Sequence, residues 1–94
     1  MGSTNKGVYA ISVAARLVSM QVQNLRVYER RGLLEPDRTA GGTRLYSVAD
    51  IERLHRIRDL LAEGLNLAGI ARVLSLEDEV RRLRRENQRL RTRR

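Results

Sequence analysis

Cysteine, tryptophan and phenylalanine are all absent from this sequence of 94 residues. Without cysteine there are no disulfides and no thiolate metal sites. The single histidine, His55, has no second histidine or cysteine with which to share a metal. No nucleophile, base and oxyanion-donor set can be assembled around it, so it reads as a surface or boundary residue. Phosphate-cradling patterns of the GxGxxG or P-loop type are missing. These absences exclude the usual enzyme classes and call for no cofactor. No apolar run approaches the roughly 20 residues that span a bilayer. Residues 1–7 (MGSTNKG) lack the apolar stretch of a signal peptide and read as a disordered start. The expected location is therefore the cytoplasm.

What is abundant is arginine. The formal net charge is +8, which suggests a polyanionic partner. The charge is concentrated: residues 81–94 hold eight arginines and one glutamate, a net of +7. The first 80 residues are close to neutral. Charge alone does not make them a nucleic-acid binder, and pattern has to decide.

Tyr9 to Ile11 reads as a short extended entry. Ser12 is the expected N-cap of a first helix, with Val13, Ala14, Leu17 and Val18 at helical spacing. Ser19 and Met20 form a tight turn. A second helix is expected from Gln21 to Arg31, with Val22, Leu25, Tyr28 and Glu29 on one face and Gly32 as its left-handed terminator. Two short helices joined by a tight turn are the helix-turn-helix signal. From Arg38 to Tyr46 the sequence is RTAGGTRLY. Its adjacent glycines tolerate the positive φ of a tight hairpin, so this segment reads as a wing.

Ser47 and Asp50 form a capping box for a helix over 48–62, with Ile51, Leu54, Ile57, Leu60 and Leu61 as its apolar stripe and Gly64 at its end. Asn66 caps a shorter helix carrying Leu67, Ile70, Val73 and Leu74. Ser75 and Asp78 resemble a second capping box, which predicts a separate last helix from 76 to about 91. Leu76, Val80, Leu83, Asn87 and Leu90 repeat at spacings of 4, 3, 4 and 3, a heptad seam for dimerisation. The seam could instead pack back on its own domain, but the earlier helices already supply a core.

The second helix is the candidate recognition helix. Gln21, Gln23, Asn24, Arg26 and Arg30 face outward. Gln and Asn match adenine, and Arg matches guanine or phosphate. The plainer reading is a solvated helix face, and the hairpin that follows with its arginines is what favours DNA. Arg38, Thr39 and Arg44 are the wing's candidates, and Tyr28 and Tyr46 can donate hydroxyl hydrogen bonds to phosphates. The plainer reading of the tyrosines is core packing. Tyr46 can do both, with its ring buried and its hydroxyl at the DNA backbone. The Arg-rich end is either a solvated helix end suited to the dipole or an additional phosphate contact, since Arg81, Arg85 and Arg89 repel one another at i,i+4.

The stretch from Arg26 to Ile57, RVYERRGLLEPDRTAGGTRLYSVADIERLHRI, resembles the MerR family of bacterial regulators. The matching motifs are YER-x-GLL from Tyr28, P-x-RT from Pro36, GG-x-R-x-YS ending at Ser47, and DI-x-RL from Asp50. ISVAA (Ile11–Ala15), DRTAG (Asp37–Gly41) and LNLAGI (Leu65–Ile70) are most similar to the family's heat-shock repressor branch. The resemblance implies a mainly α, winged helix-turn-helix fold with a small β-hairpin wing and a C-terminal coiled-coil dimerisation helix. It implies two such units joined by an antiparallel coiled coil on an inverted repeat, helix 2 in the major groove, and a second wing-like contact from a helix pair around Leu65–Leu74. It also implies repression of chaperone genes, with the DnaK chaperone as co-repressor; RNA polymerase is the other protein such a regulator meets. Ser19 stands where the heat-shock branch tends to have glycine, and Val22 and Asn24 where it tends to have proline and threonine. Helix 2 is therefore expected to read a different operator.

The expected organisation is thus a disordered start (1–7), a winged helix-turn-helix (8–74) and a dimerisation helix (75–94). The expected function is a dimeric, nucleoid-associated transcription regulator, more a repressor than an activator. An excisionase-type DNA-bending factor and a pure interaction module built on the Arg-rich helix are the alternatives. Asn87 suits a parallel coiled coil while the resemblance implies an antiparallel one. The resemblance takes precedence, because two heptads constrain orientation weakly.

Overall fold

The computed structural model describes residues 5–93. Its elements in order are α1 (Ile11–Leu17), α2 (Val22–Arg30), β1 (Asp37–Arg38), β2 (Arg44–Leu45), α3 (Val48–Ala62) and α4 (Leu67–Thr92). The strands form one antiparallel pair, with Asp37 opposite Leu45 and Arg38 opposite Arg44. The architecture is the mainly helical one expected, with a small hairpin and a long C-terminal helix.

Local chemistry explains most of the boundaries. Helices α1, α2 and α3 all end in the same turn, in which the two residues after the C-cap donate back to the helix's last carbonyls. Gly32 N–H donates to Glu29 O and Leu33 N–H to Tyr28 O; Gly64 and Leu65 repeat this on Leu61 and Leu60. The first residue of such a turn is left-handed, and Gly32 and Gly64 adopt φ of 77° and 94° at no steric cost. At the end of α1 the same position is held by Ser19, with φ 55°, the only non-glycine residue of positive φ among those described. Its N–H donates to Arg16 O, and that of Met20 to Ala15 O. A side chain there costs about 1 kcal/mol. Ser19→Gly should therefore stabilise the protein by up to about 1 kcal/mol in urea unfolding. An unchanged midpoint would show that the serine hydroxyl compensates for the conformation.

The capping box at Ser47 is present: Asp50 N–H donates to Ser47 Oγ (3.0 Å) and Ser47 N–H to Asp50 Oδ2 (2.9 Å). Asn66 accepts from Gly69 N–H (2.8 Å) at the start of α4. Ser12 is not a cap, because α1 begins one residue before it and Ala10 holds the N-cap position without a side-chain bond. Nor does Ser75 start a helix. Helix α4 runs unbroken from Leu67 to Thr92, so the two helices expected on either side of residue 75 are one. No glycine or proline follows Gly69 in α4. Each further residue adds a backbone hydrogen bond, and the ladder continues through a pattern that resembles a cap. The helix pair expected around Leu65–Leu74 is accordingly a turn leading into the start of α4.

The core is built mainly from aliphatic side chains and lies where the four helices meet. Ala14 of α1, Val18 just after it, Leu25 of α2, Leu54 and Ile57 of α3 and Ile70 of α4 are fully buried. Tyr46, just after the wing, is the largest fully buried side chain. Two arginines of α3 tie the pieces together through carbonyls. Arg58 Nη1 donates to Val18 O (2.8 Å) at the end of α1, and Arg53 Nε to Leu33 O (2.6 Å) after α2. Arg56 pairs with Glu77 (2.6 Å) and Arg53 with Asp78 (3.3 Å), which fastens α4 to α3.

The start of the chain is not wholly disordered as expected. Gly7 is buried and its N–H donates to Asp37 Oδ2 (2.8 Å). Tyr9 bridges Tyr46 through paired backbone bonds of 2.9 and 2.7 Å, so this segment flanks the wing. A Cβ on Gly7 would lie 2.5 Å from Leu45 O and 2.8 Å from Leu45 Cβ, a close approach only glycine permits. Residues 1–4 lie outside the described residues.

Candidate nucleic-acid interface

The α1–turn–α2 unit presents one polar face to solvent. Leu25 and Tyr28 anchor α2 in the core, which leaves Gln21, Gln23, Asn24, Arg26 and Arg30 exposed on its other side. Gln21 holds the N-cap position and makes no side-chain capping bond. The first amides of α2 therefore lack a side-chain partner, and such amides attract phosphate.

The wing stands beside the C-terminal turn of α2. Its tip is closed locally: Thr39 N–H donates to Thr43 O (2.8 Å) and Thr39 Oγ1 accepts from Thr43 N–H (3.1 Å). The Thr39 hydroxyl thus shapes the turn. Gly42, at φ 85°, supplies the left-handed residue that closure needs. Arg38 and Arg44 are cross-strand neighbours, and both bind Glu29 of α2. Arg38 Nη2 donates to Oε2 at 2.7 Å, and Arg44 Nε donates to Oε1. The hydrogen bond to Glu29 is the main reason the Arg44 guanidinium is raised above its ordinary pKa. Glu29 lies towards the inner face of α2, as its spacing predicts, and its side chain is 17% exposed. Its role as the link between helix and wing was missed. The signal that could have found it is the pair of arginines at matching hairpin positions, which requires a nearby anion.

Tyr46 differs from the expectation for a phosphate ligand. Tyr28 is buried. Tyr46 is fully buried, as the plainer reading held, but its hydroxyl is enclosed and has no hydrogen-bond partner among the described residues. Burial pushes its phenol above the ordinary pKa. In this conformation the Tyr46 ring offers no hydroxyl at the surface the wing presents. The physical reason is that a chain without Phe or Trp fills its largest core spaces with tyrosine.

Leu76, Val80, Leu83 and Leu90 are between 44% and 55% exposed, and Asn87 is exposed with them. The seam does not fold back on its own domain. It projects with α4, which at 1.5 Å per residue is about 39 Å long. Arg81 and Arg82 pair with Asp78, Glu79 and Glu86 on the same helix. Arg84, Arg85, Arg89, Arg91 and Arg93 have no ion pair among the described residues. No helix of the described residues is long and apolar enough to cross a membrane.

Comparison with known proteins agrees with this geometry. Residues 9–77 match the profile of the MerR HTH family regulatory proteins. The chain is 53% identical over 77 residues to the heat shock protein HspR of Streptomyces coelicolor, covering 81% of this chain and 51% of that one. It is 38% identical over 71 residues to the transcriptional regulator GlnR of Bacillus cereus, covering 76% and 55%. The chain thus spans about half the length of these curated relatives. Among solved structures it is similar to the N-terminal part of MtaN, the Bacillus subtilis multidrug transporter activator (TM-score 0.68, 29% identity, 88% of each chain). It is also similar to HiNmlR, a MerR family regulator lacking the sensor domain and bound to promoter DNA (TM-score 0.69, 28% identity, 85% of this chain and 66% of that one). With the helix-turn-helix, the hairpin wing and the long C-terminal helix in the same order, this chain belongs to the MerR family of helix-turn-helix regulatory proteins.

Proposed function

We propose that this chain binds operator DNA as a homodimer and represses transcription, with heat-shock genes as its targets. The observation that carries the reading is the coupling of two DNA-facing elements. An α2 with four exposed polar residues, and a fifth at its N-cap, is tied through Glu29 to a wing with two arginines. Gln21, Gln23, Asn24 and Arg26 read or flank the bases, and Arg44 contacts the phosphate backbone. The similarity to HspR supports the heat-shock assignment. The DnaK chaperone as co-repressor and RNA polymerase as competitor for the promoter are the protein partners that fit it. The protein then acts in the cytoplasm on the nucleoid.

The division of labour in this reading is a winged helix-turn-helix up to about residue 74 and a dimerisation segment beyond it. The exposed seam of α4 supports dimerisation, and its charge pattern favours one orientation. Glu77, Asp78 and Glu79 lie at one end of the projecting segment and the arginines at the other. A parallel pair sets each Arg-rich end beside its copy. An antiparallel pair sets it towards the partner's carboxylates, which is the more favourable arrangement.

The test is selection of bound duplexes from a random library at physiological salt. An inverted repeat is the expected product, and binding without any motif that vanishes as salt rises would overturn the reading. Two substitutions separate the roles. Arg44→Ala should weaken binding to all sequences and flatten the salt slope by about one unit, as the loss of one phosphate contact requires. Asn24→Ala should change the preferred sequence instead; an unaltered preference removes it from the reading set.

A further inference from the structure

We infer that Glu29 is the positioning residue of this interface, and that it gives the two wing arginines different tasks: Arg38 braces the wing and Arg44 reaches phosphate. The inference rests on the DNA-binding reading and goes beyond it, because from the sequence the two arginines look equivalent.

The location of Glu29 is electrostatically poor for an acid. It sits in the last turn of α2, where the helix dipole disfavours negative charge. It also lies beside a surface meant for a polyanion. What offsets both is the use of each carboxylate oxygen, Oε1 by Arg44 and Oε2 by Arg38. The arginines are directly opposite in the hairpin, a placement in which like charges repel. Glu29 cancels that repulsion and joins both strands of the wing to the recognition helix.

The two guanidinium groups are engaged differently. Arg38 uses both terminal nitrogens within the protein, Nη2 on Glu29 and Nη1 on Gly42 O at the wing tip (3.0 Å). It spans from α2 to the tip and is held within the protein at both ends of its guanidinium. Arg44 is held through Nε, and neither of its terminal nitrogens has a hydrogen bond among the described residues. A guanidinium fixed at Nε with two free N–H-bearing ends is oriented for a phosphate oxygen pair.

The test uses the full chain and the isosteric Glu29→Gln variant, on the duplex selected by the wild type and on a random-sequence duplex. If Glu29 were only a negative charge near DNA, its removal would tighten binding to both duplexes and steepen the salt slope by about one unit. As a positioning residue it gives the opposite result: affinity falls on both duplexes, roughly tenfold on the selected one, because the phosphate contact of Arg44 is lost on either. Arg44→Gln should flatten the salt slope by about one unit and Arg38→Gln should leave it unchanged. Tighter binding to both duplexes, equal slopes for the two arginine variants, or a changed base preference at one position would overturn the proposal. The last result would make Glu29 a reader of cytosine. A measurement without DNA keeps the inference separable from the function. In Glu29→Gln, amide exchange at Thr39 and Thr43 should quicken, and unchanged exchange would overturn the brace even if the selection recovers a clear operator. If the wild type selects no motif, the regulator reading fails, and amide exchange alone decides whether Glu29 holds the wing.

Discussion

Leu83→Lys should convert the protein to a monomer. Leu83 is central to the α4 seam and half exposed in the single chain. Pairing would bury it twice, once from each copy. Full burial of a leucine side chain is worth about 1.5–3 kcal/mol, so covering the exposed half in each of two copies contributes roughly 1.5–3 kcal/mol, before the cost of bringing two ammonium groups together among arginines. The dimer dissociation constant should therefore rise by about a hundredfold or more. Sedimentation equilibrium over a concentration series measures it. Binding to an inverted repeat should fall with it, since one chain engages one half-site. A variant that sediments as a dimer at unchanged affinity would place the interface on another surface.

Two substitutions at Tyr46 should have opposite signs. Tyr46→Ala removes the largest fully buried side chain and leaves a cavity among aliphatic neighbours, at a cost of about 3–5 kcal/mol. In a domain this small that amounts to a fall in Tm of roughly 15 °C or more. Tyr46→Phe keeps the ring and removes an enclosed hydroxyl that has no partner. An unsatisfied buried hydroxyl costs about 1–3 kcal/mol, so the phenylalanine variant should be more stable by about 1 kcal/mol. Thermal unfolding separates the two. DNA affinity of Tyr46→Phe should match the wild type. A tenfold loss of affinity would return the hydroxyl to the phosphate role expected from the sequence, reached through a movement of the wing.

The parts of the fold that could be read in the sequence are those where a backbone requirement selects a residue type. Gly32 and Gly64 mark helix ends because their φ is positive, and Gly42 closes the wing for the same reason. Ser47 with Asp50 marks a helix start, because two side chains satisfy two orphan amides. The same logic misleads where its context is missing. Ser75 and Asp78 have the spacing of a capping box, yet nothing upstream stops α4, and Asp78 instead meets Arg53 and Arg81. Ser12 has the character of a cap but stands two residues after the N-cap position, which Ala10 holds. In the interface, the exposed face of α2 follows from its apolar spacing. The link between helix and wing does not, because Glu29, Arg38 and Arg44 are brought together by tertiary folding and look like separate surface charges in one dimension. Tyr46 fell between two readings because a tyrosine suits both a core and a phosphate, and only burial distinguishes them.

The projecting part of α4 has a thermodynamic consequence. Beyond Leu74 the helix buries almost nothing of its own chain: of residues 75–93 only Glu77 is other than exposed. Helices of this length are marginal in water without a packed face, and arginines four apart weaken this one further. In the proposed dimer its order comes from the partner, so folding of the distal turns and association are one equilibrium. Helicity should rise with protein concentration, and the DNA-binding form should grow steeply as the chain accumulates. A chain built this way measures its own abundance by mass action before any signal acts on it.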